Sequence, residues 1–136
     1  MSRKTTNTKT TDSPALVSIG GSEYELVLTT RATREIATRY GGLENLGEAL
    51  ETGEDFAHTL GEVIWLITLL ANQSVAIHNL QHPDDLRPGL TVDAVELLTV
   101  PADLADYRSA IAAALQHGTR RAIETVTAPK DQAKDE

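Results

Sequence analysis

The chain has 136 residues, 40% of them hydrophobic, which is enough for one domain with a single modest core. It contains no cysteine, so structural disulfides, thiolate metal sites and cysteine nucleophiles are excluded. The formal net charge is −8, and residues 14–125 hold seven Arg and no Lys against sixteen Asp and Glu, a balance that repels phosphate backbones and argues against nucleic-acid binding.

Residues 1–13 are Thr, Lys, Asn and Ser with almost nothing to bury, and 127–136 are equally polar, so two disordered tails are expected around a body at 14–126. Ala15–Ile19 and Tyr24–Leu28 flank Gly20-Gly21 and predict a two-stranded β-hairpin with one apolar face laid on helices. Thr29 or Thr30 caps a first helix to about Tyr40, with Ala32, Ile36 and Tyr40 on one face and Arg31, Arg34 and Arg39 on a solvated one. Leu43, Leu46, Ala49 and Leu50 stripe a short second helix.

A third helix starts near Glu54-Asp55, carboxylates suited to a positive helix end, and runs to about Leu80 before Pro83. Phe56, Leu60, Val63, Ile64, Ile67, Leu70 and Ile77 form its main stripe. Trp65, Leu66 and Leu69 widen the apolar surface around much of the girth. Such a helix is either central in its own domain or covered by a partner. A Pro- and Gly-bearing loop follows over 81–90, then a short helix capped by Thr91, then a last long helix that opens at Pro101 and stops at Gly118, with room for one more turn over 120–125. The fold class expected is mainly α, a small helical domain with an N-terminal two-stranded β-hairpin.

No chemistry-bearing motif stands out. His78 and His82 are four apart, yet no Glu follows His78 and no third ligand is evident, so the pair is read as a helix end and not as a metal site. Asp84-Asp85 reads as a solvated loop and Arg120-Arg121 as a helix C-terminus. Neither glycine pair belongs to a phosphate-binding fingerprint, and no Ser sits in a nucleophile elbow. Asn72-Gln73-Ser74 spells a glycosylation sequon but falls mid-helix, where chance explains it. The greasy run Val63–Ala71 is shorter than the roughly 20 residues of a membrane span. No catalytic residue, cofactor or metal is expected, and no membrane.

Several blocks nevertheless share a recognisable order: Gly20-Gly-Ser-Glu-Tyr-Glu-Leu26, Leu28-Thr-Thr-Arg-Ala32, Arg39-Tyr-Gly-Gly-Leu-Glu-Asn-Leu46 and Val63-Ile-Trp-Leu-Ile-Thr-Leu-Leu-Ala-Asn-Gln73. They continue through Val95-Glu-Leu-Leu-Thr99, Asp103-Leu-Ala-Asp-Tyr107 and Gly118-Thr-Arg-Arg-Ala-Ile-Glu124. In this order the chain resembles the tail assembly chaperones of siphophages and related prophages. The resemblance implies a protein that coats the tape measure protein, helps recruit tail tube subunits and is absent from the mature virion; the lack of a catalytic motif and of cysteine adds the expectation of a non-enzymatic protein of the host bacterial cytoplasm, and many weak copies along one client that of weak self-association. The expected docking residues are Trp65, Leu66 and Leu69, because a lone Trp on a broadly apolar helix makes an interface anchor. The alternative is a structural head–tail connector or an acidic helical adaptor or regulatory protein.

Overall fold

The computed structural model describes the backbone of residues 15–51 and 55–135, with side chains described as far as Thr119. The tail expected at 1–13 and the carboxylate of Glu54 lie outside the described residues. Strands β1 (Ala15–Ile19) and β2 (Ser22–Leu26) pair antiparallel, Ala15 with Leu26 and Ile19 with Ser22, around a two-residue turn. Gly20 and Gly21 have φ of +61° and +86°, the two left-handed conformations that a tight hairpin turn demands. The second strand begins two residues earlier than its apolar pattern predicts. It ends at Leu26 because the Val27 N–H leaves the ladder and donates to the Leu70 carbonyl at 3.2 Å. Ala15, Val17 and Ile19 are buried while Leu16 and Ser18 are exposed, so the hairpin lays one face inward.

Helix α1 (Thr30–Tyr40) is opened by Thr29, whose Oγ1 accepts the Ala32 N–H at 3.0 Å, and is closed by Gly41 in the left-handed conformation. A 3₁₀ turn at Leu43–Asn45 leads into the short α2 (Leu46–Leu50), which buries Leu46. Helix α3 (Phe56–Gln81) starts where expected, its first turn capped by Asp55 accepting from the His58 N–H at 3.0 Å. Thr91 caps α4 (Val92–Leu98) in the same way. Pro101 opens a 3₁₀ turn at Pro101–Asp103 that feeds α5 (Leu104–Asp135).

The fold is mainly α with an N-terminal antiparallel hairpin, and α3 is its axis. Val63, Leu66, Ile67, Leu70 and Ala71 are shut off from solvent, surrounded by Val17 and Leu26 of the hairpin, Ile36 of α1, Val95 of α4 and Ile111 of α5. By length and composition α3 would suffice to cross a membrane; in this fold, more than half of its most apolar stretch is covered by the rest of the chain.

Polar side chains on α3 fix what the apolar ones cannot orient. Asn72 donates to the Leu90 carbonyl at 2.8 Å and accepts the Leu90 N–H at 2.7 Å; Asn79, two turns on, treats Arg87 identically at 2.9 and 2.8 Å. The two amides satisfy the backbone of the returning loop much as a neighbouring strand would.

Helix α5 does not stop at Gly118. Gly118 is not among the glycines of positive φ, so it makes no left-handed cap, and the backbone continues helical to Asp135, through the residues expected to form a disordered tail. Gly118 is there for close approach instead: a Cβ at this position would lie 2.8 Å from both Cβ and Cδ2 of Leu28. By contrast, a Cβ on Gly61, also mid-helix, would meet nothing within 4 Å. Two helical glycines are therefore expected to respond to alanine with opposite signs. In urea denaturation Gly61→Ala should stabilise by up to about 1 kcal/mol through helix propensity, whereas Gly118→Ala should destabilise by about 1–3 kcal/mol through overpacking against Leu28. Equal responses would show that the Leu28 contact does not constrain α5.

Candidate functional site

The most polar point of the interior is built around Glu62, the sole carboxylate inside α3. Its side chain is one tenth exposed and is met by α1. Arg39 donates from Nε to Oε1 and from Nη2 to Oε2, both at 3.0 Å, and the Tyr40 hydroxyl donates to Oε1 as well. Arg39 stays exposed with Arg31 and Arg34, as its spacing predicts, but it also turns its guanidinium onto Glu62, which the spacing does not predict. The missed signal was Glu62 itself, because a carboxylate in an otherwise apolar helix needs a cation to hold it. Hydrogen bonding from Arg39 keeps the Glu62 carboxyl below the ordinary glutamate value, outweighing the burial that opposes it. Burial, followed by the bond to Glu62, pushes the Tyr40 hydroxyl up, so it stays a donor.

Trp65 stands one turn from Glu62 and completes this arrangement. The Arg39 guanidinium lies 4.3 Å from its ring centroid, and Tyr40 meets it edge-on with centroids 6.0 Å apart. The indole is half-buried and already engaged by α1, so it shields an ion pair. Leu69, one turn further, is partly buried and packs on the core. Leu66 is fully enclosed. The three residues expected to form one docking surface thus diverge: the 100° step between neighbours on a helix sends Leu66 into the interior while Trp65 and Leu69 lie toward α1 and the core margin. Leu66 cannot touch a partner without opening the fold.

The exposed apolar surface lies elsewhere. Leu97 is 83% exposed, Val100 59% and Phe56 44%, and Leu98 is also open. Val100 stands on the wall of a cleft of about 300 Å³ between α3 and the α4–α5 connection. Ala57, Leu60 and Gly61 form one side of it, Pro101 and Leu104 the other, with Glu96 on the α4 side. These positions carried no sequence signal as a group, since they come from three elements and look individually like helix filler.

At the far end of α3 the imidazoles of His78 and His82 stack with centroids 4.5 Å apart. His78 Nε2 donates to the Asp85 carbonyl at 2.8 Å, and His82 Nδ1 to the His78 carbonyl at 3.1 Å. The pair closes the helix and pins the loop. Among the described residues no group of three or more His, Asp or Glu is placed to hold a metal ion. No protein-family model, no curated protein and no solved structure matches the chain.

The Arg39–Glu62 pair has a pH dependence of definite sign. The folded carboxyl binds its proton at lower pH than the unfolded one, so its stabilisation is present above the ordinary value of 4.5 and is lost as pH falls through the lower folded value. Because Arg39 remains over a third exposed, Glu62→Gln is expected to cost about 1–2 kcal/mol at neutral pH. The difference between wild type and variant in urea denaturation should shrink below pH 4.5. A gap that stays constant on acidification would mean that the charge on Glu62 contributes nothing.

Proposed function

We propose that this protein is a tail assembly chaperone of a long-tailed bacteriophage or prophage. In this reading it covers the apolar stripes of tape measure helices, keeps that protein soluble and helps recruit tail tube subunits. The supporting observation is large apolar side chains left in solvent on a small acidic helical body, with Phe56, Leu97, Leu98 and Val100 about the first turns of α3 and the α4 end. Surface of this kind marks an interaction site. The carboxylate-rich remainder, at a net charge of −8, keeps such a surface in solution until a client covers it. The ordered blocks from Gly20 to Glu124 that resemble the chaperone family supply the identity of the client.

Many copies bound along one long client act by avidity, so no single contact has to be tight. Trp65 and Leu69 then contribute by holding α1 against α3 and keeping the presenting surface in shape.

Co-expression with the tape measure protein encoded by the same phage tests the reading. Tape measure protein that is insoluble alone is expected to become soluble with this chain, and purified virions are expected to lack it. Tape measure protein that stays in the pellet, or this chain recovered stoichiometrically from finished particles, would overturn the proposal in favour of a structural subunit.

A further inference from the structure

We propose that the cleft between α3 and the α4–α5 connection receives the apolar face of a basic amphipathic helix, one whose Lys and Arg flank its apolar stripe. The chaperone reading supplies the client, on which this inference rests; the cleft adds where the client is held and which stretch of it is chosen.

The shape of the site favours a helix. The walls are side chains of Ala57, Leu60, Val100 and Leu104, and at Gly61 a Cβ would meet nothing within 4 Å, so α3 offers an open floor where a ridge of side chains can enter. Polar groups are few along the lining, with Glu96 the sole charged one.

Charge selects the kind of helix. Residues 40–107 contain twelve of the chain's twenty carboxylates but only one of its twelve Lys and Arg, Arg87. Arg87 belongs to the loop held by Asn79, toward the opposite end of α3. On the other side of the turns that floor the cleft lies an acidic basin lined by Glu48, Glu51 and Asp55. Glu96 stands in the cleft wall, and Asp93, Asp103 and Asp106 share the segments that frame it. Glu96 is thus the one charge that an occupant of the cleft meets directly, with no Lys or Arg among the lining residues, and the carboxylate excess of the surrounding segments adds a field that repels acidic helices and steers basic ones. Helix α1 of a second copy does not meet the requirement: Arg31 and Arg34 are exposed there, but its apolar residues Ala32 and Ile36 are buried.

Fluorescence anisotropy with two synthetic helices of about 20 residues provides the test. The peptides share one Leu stripe and differ in carrying Lys or Glu beside it. The Lys peptide is expected to bind the full chain at least about tenfold more tightly than the Glu peptide, with an affinity that falls as salt rises. Gly61→Leu, which fills the floor, and Val100→Arg, at an exposed position that cannot upset the core, should each weaken the Lys peptide about tenfold without lowering the thermal melting temperature. Should Gly61→Leu fail to fold, Val100→Arg alone decides. Equal binding of the two peptides, or undiminished binding by the variants, would overturn the proposal. So would concentration-dependent self-association in sedimentation that the variants abolish, since the occupant would then be a second copy. If wild type and variants alike keep co-expressed tape measure protein soluble, the cleft assignment fails while the chaperone reading stands. Wild-type chain that leaves tape measure protein insoluble yet binds the Lys peptide through the cleft would reject the client and retain the site.

Discussion

A 26-residue helix that is apolar around most of its girth has to be covered on several sides at once, and no single neighbour in a chain of 136 residues is large enough to do it. The remaining elements are arranged to satisfy that demand. The hairpin, α1, α4 and α5 each bury side chains against α3, and α5 packs on the hairpin as well; Ile36, Val95 and Ile111 are the largest fully enclosed contributions of the three helices. Burial of this kind is non-directional. It explains why the chain collapses around α3 but not why each element sits at one rotation and one height.

Directional contacts supply that information, and almost all of them start from the polar exceptions along α3. Glu62 holds α1 through Arg39 and Tyr40. Gln73 accepts from the Thr29 hydroxyl at 2.6 Å, tying down the residue that caps α1. Asn72 and Asn79 hold the returning loop, and the Leu70 carbonyl takes the amide of Val27 where the hairpin ends. From outside α3, the Tyr107 hydroxyl donates to the Ser18 carbonyl at 2.9 Å and sets α5 against β1. A buried polar group is costly unless it is paired, so each of these residues tolerates only the arrangement in which its partner arrives. The same division of labour leaves part of the first turns of α3 unclaimed, since neither a hairpin strand nor α1 reaches the cleft beside Gly61. The apolar surface left there is where the proposed client would dock.

Much of this organisation was legible in the residues because its causes are local. Thr29, Asp55 and Thr91 each accept an amide three residues on, Gly20-Gly21 makes its own turn, and Pro101 opens a helix without reference to anything distant. The class of fold, the hairpin followed by helices and the central position of the third helix follow from those signals and from apolar spacing. Trp65, Leu66 and Leu69 mark the limit of that method. When apolar residues ring a helix, their spacing no longer says which side faces inward, and only the packed neighbours distinguish the enclosed Leu66 from Trp65, half-buried over the ion pair.

The sequence by itself therefore determined most of the helical and extended segments between Ala15 and Gly118, where most of them begin, and that the body is acidic, because capping, turn formation and charge depend on residues a few positions apart. Tertiary structure alone decided that Arg39 pairs with Glu62, that Gly118 admits Leu28 where a helix stop was expected, that Asn72 serves a loop eighteen residues away, and that a cleft opens beside Gly61. Each of these depends on two groups distant in the chain meeting at one rotation about α3, a condition that no local pattern encodes.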